Sequence, residues 1–273
     1  MSNVMYSINV TVFNKGFLIY DVLTRIKKFT TGKYELIVVI DGCIDDSESE
    51  IKRFIADNQD VNITVLYAPN IFETRANNIA AKKSIGDYII ISQDDMLINE
   101  VGWNERMIKP IMKFSNIFAV TSCTAHNWIL NPNSLDIHKN HFNGDVAPDI
   151  LIHTEHANRK NIDRNTFAMR DSVNRGPLAL KHDILEQLGY FDELFSPQDM
   201  DDHDLCYRAS KLGYRCGCYW IDYISDPSWG ATRRHGHQGG WLNKATFKNS
   251  KILLERHRDL ICGEKHNENR TLI

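Results

Sequence analysis

Continuous apolar runs separated by amphipathic stretches organise the first half of the chain. SINVTVF (7–13) reads as a strand, and Phe17 to Lys28 as a helix with Leu18, Val22 and Ile26 on one face. YELIVVID (34–41) is unbroken and apolar, as in a strand buried on both faces of a parallel sheet. Ser47 is placed to cap the next helix, with Glu48 and Glu50 in a first turn whose dipole favours negative charge. NITVLY (62–67) reads as a third strand, Glu73 to Ser84 as a helix and DYIIIS (87–92) as a fourth strand. This βαβαβαβ order predicts right-handed crossovers and a three-layer α/β/α sandwich with a mostly parallel central sheet.

The alternation then weakens. Trp103 to Phe114 has a helical pattern interrupted by Pro110, and IFAVTSC (117–123) reads as a strand. From Thr124 to about Arg175 no periodicity is sustained and Asn, Asp and His are frequent, which predicts a lid, a binding loop or disorder. Order resumes with GPLAL (176–180), a helix over His182 to Leu188, an acidic-headed helix from about Asp201 and a strand near Cys216–Ile221. The glycine-rich, basic WGATRRHGHQGG (229–240) precedes a helix near Lys248–Leu260. With no internal repeat, low-complexity tract or clean linker, a single domain over 1–273 is expected.

Composition narrows the class. The 273 residues are 42% hydrophobic and 25% charged with net charge −3, ample for a full core and without the basic footprint of a nucleic-acid binder. No apolar run has the length of a membrane span, and MSNVMYSINV lacks a basic-then-apolar signal, so a cytoplasmic location is expected. The six cysteines form no disulfide framework. Cys216 and Cys218 would share a face, but no second pair at matching spacing completes a zinc site, so packing is the expected role.

Two acidic clusters carry the chemistry. IIISQDDM (89–96) runs three isoleucines into Asp94 and Asp95. Asp is common in turns, but adjacent like charges at the C-terminal end of a central strand repel unless a cation compensates. Hard carboxylate oxygens there suit Mg²⁺ or Mn²⁺, and through the metal a diphosphate. Asp41, Thr11 and Phe13 emerge on the same sheet edge, where Phe13 offers a stacking surface and Asp41 either caps a turn or accepts from a base N–H. Neither a G-x-G-x-x-G nor a Walker A pattern follows the first strand. The second cluster, PQDMDDHDLCYRASKLGYR (197–215), puts Asp201, Asp202 and Asp204 into the first turn of a helix whose buried stripe is Leu205, Ala209 and Leu212. One of these acids is expected to cap. The excess suits a carboxylate that removes a proton from an acceptor hydroxyl.

TVFNKG, VVIDG, GDYIIISQDD and GYFDELFSPQDMDDHDLCYRASKLGYR together resemble the inverting family 2 glycosyltransferases of the GT-A fold, over roughly residues 5–240. The resemblance implies roles position by position. Asp95 matches the last acid of the D-x-D-like motif that binds metal on the nucleotide diphosphate, and Asp94 its neighbour near ribose and metal. Gln93 stands where many members have the first Asp. Thr11, Phe13 and Asp41 match nucleoside-binding positions, with Phe13 for a common Tyr. Arg75 resembles an Arg that approaches the nucleotide. Asp202 matches the catalytic base, with Asp201 where Glu is usual. His235 or His237 resembles a late His that some members use as a further metal ligand.

The expected activity is therefore metal-dependent, inverting transfer of a sugar from a nucleotide-diphosphate sugar, UDP by default, to a hydroxyl-bearing glycan acceptor, with Mn²⁺ or Mg²⁺ as cofactor. The nucleotide-binding half would be about 1–123 and the acceptor and catalytic half about 124–273. Two rival readings stand beside it. One is a non-catalytic nucleotide- or glycan-binding module on a degenerate scaffold, favoured by Gln93 and disfavoured by Asp95 and Asp202. The other is a sugar nucleotidyltransferase, disfavoured because FNKGFLIYD lacks the Gly-rich stretch of that class.

Overall fold

A computed structural model describes residues 4–131, 150–230 and 239–272. The first half alternates as its pattern predicts: β1 (Met5–Val12), α1 (Ile19–Phe29), β2 (Lys33–Asp41), α2 (Ser47–Asp57), β3 (Ile63–Ala68), α3 (Phe72–Lys83), β4 (Tyr88–Gln93). A short β5 (Leu97–Ile98), α4 (Trp103–Lys113) and β6 (Ile117–Thr121) follow. The second half contains β7 (Thr124–Leu130), β8 (Leu151–Asn158), β9 (Thr166–Arg170), β10 (Ser172–Val173) and β11 (Leu178–Lys181). The chain continues through α5 (His182–Gln187), α6 (Asp201–Lys211), β12 (Arg215–Cys218), β13 (Tyr223–Ile224), α7 (Gly239–Ile261) and β14 (Glu268–Thr271).

The central sheet has nine strands in the order β14-β9-β12-β6-β11-β4-β1-β2-β3. Its β4-β1-β2-β3 block is wholly parallel, and only β9 and β11 run against the common direction. Alternation along β2 shows why the fold is layered. Leu36, Val38 and Ile40 pack with α1 and α2 through Val22, Ile26, Ile51 and Phe54. Ile37 and Val39 face the other way, onto Ala76 and Ala80 of α3. Both faces are thus removed from water, which is why the run reads as continuously apolar. The alanines let α3 lie close to the sheet, and its buried Asn78 holds the GYFDE loop: Nδ2 donates to the Phe191 carbonyl at 2.8 Å, and Oδ1 accepts from the Phe191 N–H at 3.0 Å.

Two expectations are corrected. Thr124 to Arg175 is not one irregular stretch. Within its described residues β7 pairs with both β8 and β10 in a separate three-stranded sheet, and β9 joins the main sheet. Its period is masked by a bulge. Asn127 pairs with Thr154 and Ala125 with Ala157, so His126 faces both Glu155 and His156, and Glu155 has φ +51°. Ser47 does not cap α2. The helix begins on it, and the Asp45 carboxylate accepts from both its N–H and its hydroxyl. Cys216 and Cys218 are buried in β12, as packing requires, and among the described residues no helix is long and apolar enough to cross a membrane.

Replacing Asn78 with Ala leaves both polar groups of the Phe191 backbone unpaired in the interior. The expected cost is about 1–3 kcal/mol, read as a lower urea midpoint at unchanged m-value.

Candidate active site

The ends of β4, β1 and β2 lie side by side because their register is parallel: Thr11 pairs with Gln93 on one side and Val39 on the other. Chain reversal after each strand brings the loops together on one sheet edge. The Asp94 carboxylate accepts from the Phe13 N–H at 2.9 Å, tying the β4 loop to the β1 loop. Burial pushes Asp94 up to about 7, against the pull of the Lys15 charge and the Phe13 N–H. Asp95 is raised by burial too, again opposed by Lys15. Lys15 was not singled out from sequence although it lies in the same TVFNKG loop. It is buried, and its ammonium donates to the Trp229 carbonyl. The next residue, Gly230, runs so close to Asp95 that a Cβ there would stand 2.8 Å from Oδ2. His235 and His237 lie in 231–238, outside the described residues.

Asp41 takes the first of its two readings. Its carboxylate accepts from the Ile71 N–H at 2.7 Å and the Phe72 N–H at 2.8 Å, closing the turn into α3. That turn sets Phe72 against Trp241, ring centroids 5.3 Å apart and planes tilted by 57°. Arg75 lies one turn along α3, half-exposed, with Nε 3.5 Å from Glu193.

Behind this edge lies a buried charge relay centred on Arg175, which the sequence reading passed over. Its guanidinium grips Asp201 in a fork, Nη1 to Oδ2 at 2.5 Å and Nη2 to Oδ1 at 2.8 Å, while Nε stands 3.2 Å from Glu73. Glu73 in turn lies 3.5 Å from the Gln93 amide, which reaches over Gly176. A Cβ at position 176 would meet Gln93 Oε1 at 2.2 Å, and φ is +96°, so only glycine serves there. Burial alone would lower the Arg175 pKa, but Asp201 and Glu73 raise it well above its ordinary value.

Asp202 differs from its neighbours. It accepts from the backbone N–H of Arg175 at 3.1 Å and of His203 at 2.9 Å, and its Oδ1 is 3.6 Å from His203 Nε2. Burial would raise it, but His203, Arg175 and these two N–H groups hold it below the usual carboxylate range. It lines a cavity of about 460 Å³ with Asp199, Arg175, His126, Trp128 and His203. No aspartate side chain caps α6. Its N-cap is Met200, left-handed at φ +69°. Asp204 faces away from the cavity, bonded to Arg208 at 2.6 Å and His257 at 2.9 Å. Asp201, Asp202 and Asp204 therefore divide into a clamp for Arg175, a cavity carboxylate and an anchor for α7.

Asp204 gives the pH test of this division. Burial raises it, but His257 and Arg208 outweigh that and lower it. A depressed carboxyl stabilises the fold above its unfolded value and loses that contribution as pH falls through the folded value. Asp204→Asn is expected to cost about 3 kcal/mol at pH 7 and to flatten the loss of stability below about pH 4, followed by urea unfolding at several pH values.

The family model of glycosyl transferase family 2 matches residues 7–175. A search of curated proteins gave no match. Among solved structures, GalNAc-T7 with UDP, GalNAc and Mn²⁺ superposes with TM-score 0.64 at 13% identity, over 92% of this chain and 48% of that one. The mannosyltransferase PcManGT from Pyrobaculum calidifontis, in complex with GDP-Man and Mn²⁺, gives 0.59 at 17% identity, over 93% and 74%. S. aureus TarS 1–349 in complex with UDP gives 0.50 at 14% identity, over 92% and 71%. Identities this low speak for the fold, and the family match covers more than half of the sequence. The strand-end acids fall inside that match, on the sheet edge where an α/β fold holds its ligand. This chain is a glycosyltransferase, a member of glycosyl transferase family 2.

Proposed function

We propose that the chain catalyses metal-dependent, inverting transfer of a sugar from a nucleoside diphosphate sugar to a hydroxyl acceptor, with Asp202 as general base. The observation that supports this most is the contiguous relay from the strand edge to the cavity. Gln93 meets Glu73, Glu73 meets Arg175, and the Arg175 N–H meets Asp202. A donor at Asp94 and Asp95 and an acceptor at Asp202 would thus be held by one rigid set of side chains, the positioning that in-line displacement requires.

The residues divide the work. Phe13 and the Phe72–Trp241 pair offer ring faces for the base, and Thr11 and Asp41 polar groups beside them. Asp94 has one oxygen committed to the Phe13 N–H. Asp95 is then the freer carboxylate for a divalent ion. Among the described residues no group of three or more His, Cys, Asp or Glu is arranged to hold a metal. That donor set fits a hard ion whose other ligands are diphosphate oxygens and water, with His235 or His237 as the proposed addition. Bound Mn²⁺ or Mg²⁺ would neutralise charge on the departing diphosphate. Lys15 contributes positive charge at the same edge. Asp202, ionised at neutral pH, removes the proton of the acceptor hydroxyl as that oxygen forms the new glycosidic bond on the face opposite the diphosphate. The solved relatives hold UDP or GDP-Man, and competition among UDP, GDP and dTDP identifies the base.

Asp202→Asn keeps the shape and one of the two backbone hydrogen bonds but cannot take the proton. Transfer is expected to fall by about 10²-fold or more while nucleotide affinity changes only a few-fold; near-normal turnover would remove Asp202 as base. Asp95→Ala is expected to remove the Mn²⁺-dependent part of nucleotide binding in calorimetry. Equal affinity of the wild type with and without chelator would defeat the metal assignment.

A further inference from the structure

Two kinds of group line the cavity beside Asp202. Asp202 and Asp199 supply carboxylates. His126 from β7, His153 and His156 from β8, and His203 from α6 supply imidazoles. Around His126 the ring centroids of His153, His203 and His156 stand at 4.7, 5.0 and 5.8 Å. The bulge builds this cluster. In a regular strand residues three apart face opposite sides, but the extra residue at Glu155 brings His156 round beside His153, with Nδ1 and Nε2 3.1 Å apart.

Several ring nitrogens here are buried without a hydrogen-bond partner among the described residues. His126 is 2% exposed, and neither of its ring nitrogens has a hydrogen-bond partner among the described residues. The same holds for His203 Nδ1 and for the indole N–H of Trp128, which packs edge-on to His126. Orphaned polar atoms this deeply buried are costly unless a ligand satisfies them. The positive charge of Arg175 is already engaged by Asp201 and Glu73. Burial, then repulsion from His203, His153 and His156, pushes His126 well below its usual pKa, so its ring stays neutral while the cavity is empty. Negative charge arriving among four imidazoles would reverse that balance and draw in a proton.

We propose that this cavity is the acceptor subsite and that it selects acceptors bearing an oxyanion, a carboxylate or phosphate, which lies against the imidazoles while a hydroxyl of the same molecule reaches Asp202. This rests on the reading of Asp202 as base. The volume of about 460 Å³ accommodates a sugar ring with a charged substituent. A neutral sugar would leave the imidazoles without the charge they are arranged to meet.

The test is calorimetry of D-glucuronate, glycerol 3-phosphate and D-glucose with the full chain, in buffers of different ionisation enthalpy. At least one anionic probe is expected to bind at least tenfold tighter than glucose, to take up about one proton, and to tighten by about tenfold per pH unit between pH 7.5 and 6.5. Which probe does so names the oxyanion. His153→Gln with His156→Gln, both at the exposed mouth and expected to fold, should weaken that binding about tenfold and reduce the proton uptake. His126→Gln, if its circular dichroism stays native, should do the same. Glucose binding as tightly as both anions overturns the proposal. So does anion binding unchanged in the mouth variants, because it then lies at another site. Asp202→Asn should retain anion binding. If it does and still transfers sugar, the base assignment fails and the subsite stands; if it loses transfer in a protein that binds neither anion, the base stands and the subsite fails.

Discussion

One buried guanidinium holds the two halves of the candidate active site together. Arg175 is almost inaccessible, and so is Asp201, which it grips in a fork. Two opposite charges so deep are stable only while both are present and fully bonded, since removing either leaves an uncompensated charge costing about 3–5 kcal/mol. The backbone of the same residue donates to Asp202, so the position of the carboxylate facing the cavity is fixed by the pairing of its neighbour. Through Glu73 the guanidinium also reaches α3, whose entry turn is closed by Asp41 at the end of β2. A displacement at Arg175 would therefore be felt at both the strand edge and the cavity.

How much of this the sequence displayed depends on the range of the forces involved. The parallel block was legible because strands buried on both faces must be apolar throughout, and helices between them must carry one apolar stripe, as β2 and α1 do. The strand-end acids were legible because a run of isoleucines ending in two carboxylates has few other physical readings. Arg175 was not. Nothing local distinguishes an arginine before Gly-Pro, and its partners Glu73 and Asp201 come from distant parts of the sequence. The strands β7 and β8 were hidden for a different reason: a bulge breaks the two-residue period just where polar histidines replace apolar residues. Ser47 misled because Asp45, two residues upstream, supplies the acceptor that a capping serine would have been.

Asp41 shows the limit of reading a role from position. It stands on the edge with Asp94, yet both of its oxygens close a turn. The two N–H donors fix the orientation of its carboxylate. The same bonds set Phe72 at φ +69°, a conformation unfavourable for a bulky residue, and so present its ring to Trp241. The turn bonds thus orient both the Asp41 carboxylate and the Phe72 ring.

The three aspartates opening α6 make the same point about electrostatics. Equal in sequence, they have unlike surroundings. Asp201 faces a guanidinium, Asp204 faces Arg208 and His257, and Asp202 faces backbone N–H groups and an open cavity. Acids already ion-paired on all sides are poor bases, because taking up a proton would sacrifice those pairs. Asp202 is held ionised by His203 and the Arg175 charge and then by two backbone N–H groups, while it still lines the cavity. Its neighbour His203 also belongs to the imidazole cluster, 5.0 Å from His126 by ring centroid. Positive charge on the imidazoles would therefore favour ionised Asp202.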